Sequence, residues 1–286
     1  GVIVPPVGQV DYIDALLETV RDNHAGLLVP LTDLDLRSLA RHRQKFTELG
    51  CEVMVGSEDT ILLCRDKARF NRSLEAAGLA SIRTCTLAEF NDSPFYPCFV
   101  KPIRGSASVG TGKISSSKEL KAHVATYGES LLVQEYVAGT EYTIDVYRSK
   151  SGEIKSVVPR QRLVVRSGEV EKGITVRDDA LIESTIRLAG VLSDLWGVFC
   201  CQCRRNGNGP PRFFEVNPRF GGGAPLSIAA GANLPLYLLQ DVLSEPVTAQ
   251  VGTFTDNFLM LRYDDAIFVQ VDDVQSLPGY DTPQFR

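Results

Sequence analysis

The sequence predicts an α/β protein in which a short parallel α/β unit precedes two α+β lobes. Up to residue 55, apolar residues at helical spacing alternate with short apolar strands, an order typical of a parallel sheet. Beyond that point the strands alternate in polarity and are joined by glycine-rich turns, which indicates antiparallel pairing. Apolar residues make up 44% of the 286, enough for a sizeable core.

The first unit is predicted to consist of two helix–strand pairs. Ile13 to Val20 shows the spacing of a helix and Leu27 to Val29 that of a short buried strand. A second helix is predicted over 35–49, followed by a strand over 51–55. Because a three-layer domain normally starts with a strand and a helix ahead of this point, we expect that first pair to be missing from residues 1–65.

The elements after residue 65 change in character. Asp66 is predicted to cap a helix over 67–76. The turn Asn206-Gly-Asn-Gly209 predicts a hairpin between its flanking strands. The polar tail 272–286 is expected to be weakly ordered. The other predicted elements are strands over 82–87, 98–102, 131–137, 197–203 and 212–217, antiparallel strands between 141 and 165, and helices over 117–125, 179–195, 226–230 and 236–243.

Composition argues against several classes of partner. The formal net charge of −5 lacks the surplus of Lys and Arg with which proteins bind nucleic acid or anionic membranes non-specifically. No apolar run approaches the roughly 18 residues of a membrane span, and no secretory signal is recognisable. The seven cysteines are odd in number and irregularly spaced, which indicates reduced thiols in a cytoplasmic protein.

A lysine and a glycine-rich loop form the first candidate site. Lys101 ends a predicted strand, and Gly105, Ser106, Ser108 and Gly110 follow it. The N–H and hydroxyl groups of such a loop can bind phosphate oxygens, and the lysine adds a point charge. The spacing fits neither a Walker loop nor a dinucleotide fingerprint. A flexible surface loop beside an ordinary lysine explains this segment about as well.

A second candidate site lies on the predicted hairpin. Glu215 and Asn217 project from the same face of a strand, and Gln202 on the partner strand could add a third oxygen. Oxygen donors of this kind suit Mg²⁺, which leaves its other positions to phosphates and water. Arg219 follows two residues later and could bind a phosphate bidentately. The alternative is a buried Glu–Arg ion pair without a metal.

A third segment offers a nucleotide-binding edge. The predicted strand from Leu131 ends in Glu135-Tyr136-Val137, whose backbone groups could meet an adenine. Glu141 lies beyond the next turn and could accept hydrogen bonds from ribose hydroxyls. Taken alone, the segment is just a strand followed by a turn, and it indicates a nucleotide site only together with the other two features.

In this order the motifs resemble the ATP-grasp superfamily, above all the modules of the carbamoyl-phosphate synthase large subunit and small carboxylate–amine ligases. The resemblance runs from about Asp66 to Leu243, and Gly197 to Gln202 with Glu215 to Arg219 is its most specific part. It implies a partial pre-ATP domain over 1–65, an ATP-grasp small lobe with a glycine-rich lid over 66–134, and a large lobe with the metal site over 135–286.

The resemblance also implies roles for individual residues. Lys67 and Lys101 would hold ATP phosphates under a lid from Gly105 to Gly112. Glu135, Tyr136 and Val137 would meet the adenine and Glu141 the ribose. Gln202, Glu215 and Asn217 would bind Mg²⁺, with Mn²⁺ as a substitute, although many relatives carry an acidic residue where Gln202 stands. The catalytic set would be Arg219, with Arg162 and Lys172 near the γ-phosphate or acceptor on a looser match.

The implied activity is an ATP- and Mg²⁺-dependent ligase that converts a small carboxylate to an acyl phosphate for attack by an amine. Alignment and charge neutralisation suffice for such a reaction, so no nucleophilic side chain is required. Consistent with this, His24, His42 and His123 lie outside the motifs, and Cys200, Cys201 and Cys203 lack a second cluster for zinc. Bicarbonate or carbamate phosphorylation is one alternative, and a nucleotide-binding module without turnover is another. Family members are often homodimers.

Overall fold

Three β-sheets organise the chain in the computed structural model, which describes residues 1–103, 110–166, 168–266, 268, 270 and 271. The sheets have two, four and six strands. The expectations for Gly105, Ser106, Ser108 and the tail 272–286 fall outside the described residues.

The two-stranded sheet belongs to the first unit. Strand β1 (Leu27–Leu28) pairs in parallel with β2 (Glu52–Val53), and α1 (Tyr12–Asp22) and α2 (Leu36–Glu48) precede them, as predicted. Helix α3 (Glu58–Arg65) was not predicted, and it begins where the Ser57 hydroxyl accepts a hydrogen bond from the Thr60 N–H. The two long helices and β2 share one apolar core, which includes Ile13, Val20, Leu39, Phe46 and Val53.

The four-stranded sheet is antiparallel and has the order β3-β6-β4-β5. Its strands are β3 (Thr84–Thr86), β4 (Cys98–Pro102), β5 (Gly112–Ile114) and β6 (Leu131–Glu135). The helices near it are α4 (Lys67–Ala76), α5 (Leu87–Asp92) and α6 (Ser117–Tyr127). Asp66 caps α4 as expected, since its carboxylate accepts from the Arg69 N–H at 2.9 Å. Lys101 lies near the end of β4 in this sheet.

The six-stranded sheet has the order β11-β10-β7-β8-β9-β12 and is antiparallel throughout. Its strands are β7 (Thr140–Arg148), β8 (Ile154–Arg166), β9 (Glu169–Thr175), β10 (Gly197–Arg205), β11 (Arg212–Asn217) and β12 (Leu259–Leu261). Helix α7 (Asp179–Val191) covers one face, while α8 (Ala224–Ala229) and α9 (Leu234–Val242) cover the other. Because both faces are covered around the central strands β7 and β10, polar side chains buried there need partners.

Several properties of the chain bear on the earlier expectations. All seven cysteines are free; Cys85 is half-buried and the other six are buried. Among the described helices, none has both the length and the apolar character needed to cross a bilayer. His24 is exposed and His42 lies on α2 away from the predicted motifs. His123 on α6 instead contacts one of them, since its Nε2 lies 3.1 Å from the carbonyl oxygen of Gly110.

Candidate active site

Two lysines and a glutamate converge from three separate elements. Lys67 is the first residue of α4, Lys101 lies on β4, and Glu215 lies on β11. The Lys67 Nζ is 3.5 Å from the Glu215 Oε2. Lys101 interacts electrostatically with both other residues. The sequence-predicted phosphate and metal positions therefore meet at one place.

The electrostatics of this cluster are dominated by burial. Burial and, to a smaller extent, the positive charge of Lys67 lower the pKa of Lys101 to about 7, and Glu215 offsets only part of the shift. Burial acts to raise the pKa of Glu215, but the charges of Lys67 and Lys101 and the Asn217 amide outweigh it, so that pKa lies below its usual value. Two partly desolvated cations beside one carboxylate favour binding of a polyanion with its metal.

The donor set on the hairpin is suited to a hard cation. The β10–β11 register sets Gln202 opposite Glu215, and the Asn217 Nδ2 donates to the Glu215 Oε1 at 3.3 Å. One carboxylate and two amide oxygens fit Mg²⁺ when phosphate oxygens complete the shell. Within the described chain, no cluster of three or more His, Cys, Asp or Glu side chains is placed to hold a metal. The residues thus fit a metal that arrives with a nucleotide rather than a closed structural site.

The predicted adenine edge offers fewer free backbone N–H groups than expected. The Glu135 N–H donates to the Arg83 carbonyl at 2.9 Å, and the Tyr136 N–H donates to the Pro97 carbonyl at 3.2 Å. Among the described residues, the N–H of Val137 is therefore the one of these three backbone donors that remains available to a ligand. The Glu135 carboxylate is bound by the Arg212 Nη1 at 2.5 Å. The side chain of Glu135 is consequently held in an ion pair with Arg212.

Glu141 is held between two arginines. Its Oε1 lies 3.1 Å from the Arg162 Nε, and its Oε2 accepts from the Arg204 Nη2 at 2.6 Å. Arg162 also donates to the Thr143 Oγ1 and to the Gly168 carbonyl. Both carboxylate oxygens of Glu141 are therefore occupied, and contact with a ribose would require sharing them. Lys172 is exposed on β9, and its suggested role beside a phosphate or acceptor stays a prediction.

Arg219 connects the hairpin to the first unit. Its Nη2 donates to the Asp33 Oδ2 at 2.5 Å and its Nη1 to the Phe220 carbonyl at 2.9 Å. Its Nε is buried and has no hydrogen-bond partner among the described residues. Asp33 was not predicted as a site residue, although it lies in the segment after a strand of a parallel sheet, where ligand-binding loops commonly occur.

A buried ion pair supports the loop that follows Arg219. Arg160 donates to both carboxylate oxygens of Asp145, at 2.7 and 2.9 Å, and the Ser227 hydroxyl donates to the same carboxylate at 2.5 Å. A Cβ on Gly223 would lie 2.1 Å from the Arg160 Nη1, so only glycine permits this approach. Arg160 therefore lies in the core beneath the loop.

Three known families match parts of the chain. Residues 128–264 match the family described as "ATP-grasp in the biosynthetic pathway with Ter operon", and residues 72–167 match "D-ala D-ala ligase C-terminus". The chain belongs to the ATP-grasp superfamily. Residues 1–54 of this ATP-grasp protein match "PylC-like, N-terminal domain", in agreement with a pre-ATP domain.

Relatives in sequence include a vancomycin resistance protein and D-alanine–D-alanine ligases. The chain is 26% identical over 173 residues to the vancomycin B-type resistance protein VanB of Enterococcus faecalis, covering 54% of this chain and 49% of that protein. It is 31% identical over 97 residues to a D-alanine–D-alanine ligase of Pseudomonas putida, covering 31% of this chain and 30% of that ligase. The ATP-grasp chain thus matches about half the length of the first relative and less than a third of the second.

Solved structures share the fold at low identity. A biotin carboxylase of Campylobacter jejuni in complex with β,γ-ATP has a TM-score of 0.70 at 14% identity, over 86% of this chain and 60% of that one. An ADP complex of N5-carboxyaminoimidazole ribonucleotide synthetase has a TM-score of 0.70 at 17% identity, over 91% and 69%. An L-amino acid ligase of Bacillus licheniformis has a TM-score of 0.65 at 19% identity, over 84% and 62%. These similarities confirm the predicted ATP-grasp fold.

Proposed function

We propose that this protein is an ATP- and Mg²⁺-dependent ligase that activates a carboxylate as an acyl phosphate and transfers the acyl group to an amine. The observation that carries the proposal is the convergence of Lys67, Lys101 and Glu215 from three elements. The D-alanine–D-alanine ligases to which the chain is similar support the same reaction class.

The chain's residues divide the work by charge. Lys67 and Lys101 neutralise the phosphate oxygens, and partial burial strengthens their field because little water screens it. Glu215 and Asn217, with Gln202 opposite, would hold Mg²⁺, which would neutralise charge on the phosphates. Arg219 lies two residues beyond Asn217, where its unpartnered Nε can bind an oxygen of the transferring phosphoryl group or of the acyl phosphate.

The chemistry balances without a protein nucleophile. A carboxylate oxygen attacks the γ-phosphorus of ATP and the bond to the bridging oxygen breaks, which releases ADP. The amine nitrogen then attacks the acyl carbon and inorganic phosphate departs with the former carboxylate oxygen. The amine loses one proton to solvent. The protein's contribution is alignment and charge neutralisation.

The proposal is tested by ADP and phosphate release in the presence of ATP, Mg²⁺ and pools of carboxylates and amines. Lys101→Met and Glu215→Gln are expected to lower the rate at least a hundredfold. The exposed residues Lys118 and Glu183 provide the matched controls Lys118→Met and Glu183→Gln, which should retain the wild-type rate. Wild-type turnover by Lys101→Met or Glu215→Gln would overturn the proposal.

Two other functions become outcomes of the same assay. ATP hydrolysis that depends on bicarbonate alone would indicate bicarbonate or carbamate phosphorylation. Tight binding of a non-hydrolysable ATP analogue, without hydrolysis stimulated by any acceptor, would indicate a nucleotide-binding module.

A further inference from the structure

A large groove opens beside Arg219, between the segment that follows β1 and helices α8 and α9. Its volume is about 990 Å³, at the upper end of the roughly 300–1,000 Å³ typical of small-molecule sites. Its walls are mostly apolar. They include Val29, Leu31, Leu34, Ile228, Leu238 and Leu239.

Three of the four charged lining residues are linked by hydrogen bonds. Arg219 binds the Asp33 carboxylate, and the Arg65 Nη1 donates to the Asp33 carbonyl at 3.0 Å. Glu169 lines the groove beside Gly222, where an added Cβ would lie 1.9 Å from its Oε2. The groove therefore has a polar region around Arg219 and an apolar remainder.

Arg219 belongs both to this groove and to the proposed phosphoryl-transfer site. It is two residues from Asn217, and its buried Nε lacks a partner within the described chain. An unpaired guanidinium N–H in a partly buried position favours an anionic acceptor. A carboxylate bound there would lie at the junction of the groove and the metal-binding hairpin.

The apolar walls include leucines that remain open to water. Leu31 is 66% exposed, Leu34 is 68% exposed and Leu239 is 47% exposed. A contiguous apolar surface of this kind beside a charged anchor is typical of a binding site for an amphipathic molecule. An aliphatic or aromatic body would cover these side chains and remove them from water.

We propose that the carboxylate substrate of this protein carries a bulky apolar body, which lies in the groove while its carboxylate binds at Arg219. This inference rests on the proposed function, since it identifies the substrate class of the same site. The size and apolar walls of the groove favour such a molecule over acetate or glycine, because these small carboxylates would leave most of the leucines exposed to water.

The first test is calorimetric binding of acetate, butanoate and octanoate to the full chain in the presence of ADP and Mg²⁺. Affinity is expected to rise two- to fourfold per added methylene, as for burial of apolar surface. Octylamine has the same body without the anion, and it should bind at least tenfold more weakly than octanoate. Equal affinity for acetate and octanoate would overturn the inference.

A second test uses two leucines on the same helix. Leu239 lines the groove and is 47% exposed, whereas Leu236 is 43% exposed and lies outside the groove's lining. Leu239→Ser should weaken octanoate binding about tenfold and leave acetate binding unchanged, and Leu236→Ser should change neither by more than twofold. Equal effects of the two substitutions would contradict the proposal.

The outcomes separate this inference from the proposed function. ADP release that is supported by acetate but not improved by octanoate would retain the ligase and refute the groove assignment. Binding of octanoate that responds to Leu239→Ser, without ADP release for any amine, would retain the groove and refute the ligase. If Leu239→Ser instead dissociates a dimer in sedimentation and no carboxylate binds, the groove is covered by a second copy and the inference fails.

Discussion

The carboxylate of Asp33 accepts a hydrogen bond from Arg219 at 2.5 Å, although 186 residues separate the two in the chain. The contact joins the segment after β1 to the loop after β11. It brings the parallel α/β unit to the edge of the proposed reaction centre, and we therefore expect this unit to contribute to substrate alignment as well as to folding.

The substitution Asp33→Asn is expected to lower kcat/KM for the carboxylate about tenfold, because the guanidinium loses the charged partner that orients it. The stability cost should stay below about 1 kcal/mol because the Asp33 side chain is 38% exposed. Steady-state kinetics and urea unfolding measure the two effects. Asp11→Asn changes an exposed carboxyl without a capping bond and serves as control; an unaltered kcat/KM for Asp33→Asn would contradict the expected role.

Nucleotide binding should take up a proton at mildly alkaline pH. Burial and the neighbouring charge of Lys67 lower the pKa of Lys101 to about 7, so at pH 8 about nine in ten Lys101 side chains are neutral. Phosphate oxygens favour the charged form, and this raises the pKa of Lys101 in the complex. Binding at pH 8 should therefore take up close to one proton, and binding at pH 6 almost none.

Calorimetry of ADP–Mg²⁺ binding in buffers of different ionisation enthalpy measures this uptake. Lys101→Met should abolish it at pH 8, whereas Lys118→Met should leave it intact. Equal proton uptake at pH 6 and pH 8 would show that Lys101 keeps an ordinary pKa in this site.

Breaking the buried ion pair of Arg160 and Asp145, beneath the loop that follows Arg219, should lower the free energy of unfolding substantially. Asp145→Asn leaves the Arg160 charge in the core without its partner, and such a loss typically costs about 3–5 kcal/mol. The strand that carries Arg160 also carries Arg166, whose bidentate pair with Asp264 is exposed. Asp264→Asn should cost less than about 1 kcal/mol. Chemical unfolding compares the two variants, and similar losses would contradict the assignment of Arg160 to the core.

Metal affinity should respond to the neutral residue on β10. Gln202→Asp adds a second carboxylate opposite Glu215 and is expected to tighten Mn²⁺ binding about tenfold in the presence of ADP, because carboxylates are stronger ligands than amides. Electron paramagnetic resonance of Mn²⁺ titrations measures the change. Gln161→Asp places the same charge on β8 and provides the control. Equal tightening by the two substitutions would show that the effect is one of net charge rather than of a ligand.

Strong periodic patterns made most of the fold predictable. Strand β4 has the predicted bounds, and α4 begins at its predicted cap. The short elements α3, α5, β5 and β12 were missed, because a segment of one or two turns, or of three strand residues, carries too few apolar positions to show a period. Their formation depends on neighbours distant in the chain, as β12 shows by pairing with β9.

The site was predictable where chemistry and spacing coincide. Glu215 and Asn217 lie two residues apart on one strand, and Lys101 lies near the end of another. Their chemistry could therefore be predicted from the neighbouring sequence. Their convergence with Lys67 required the fold. The engagement of Glu141 by two arginines and of the Glu135 and Tyr136 N–H groups by carbonyls could not be predicted, because those partners depend on strand register.

The ion pair between Lys67 and Glu215 has a thermodynamic consequence. A divalent cation at Glu215 competes with the Lys67 ammonium for the same Oε2, and a polyphosphate competes with Glu215 for that ammonium. Each arrival therefore releases the group that the other requires. We therefore expect metal and nucleotide to bind this proposed site with positive cooperativity, and by linkage each should raise the affinity of the other by the same factor.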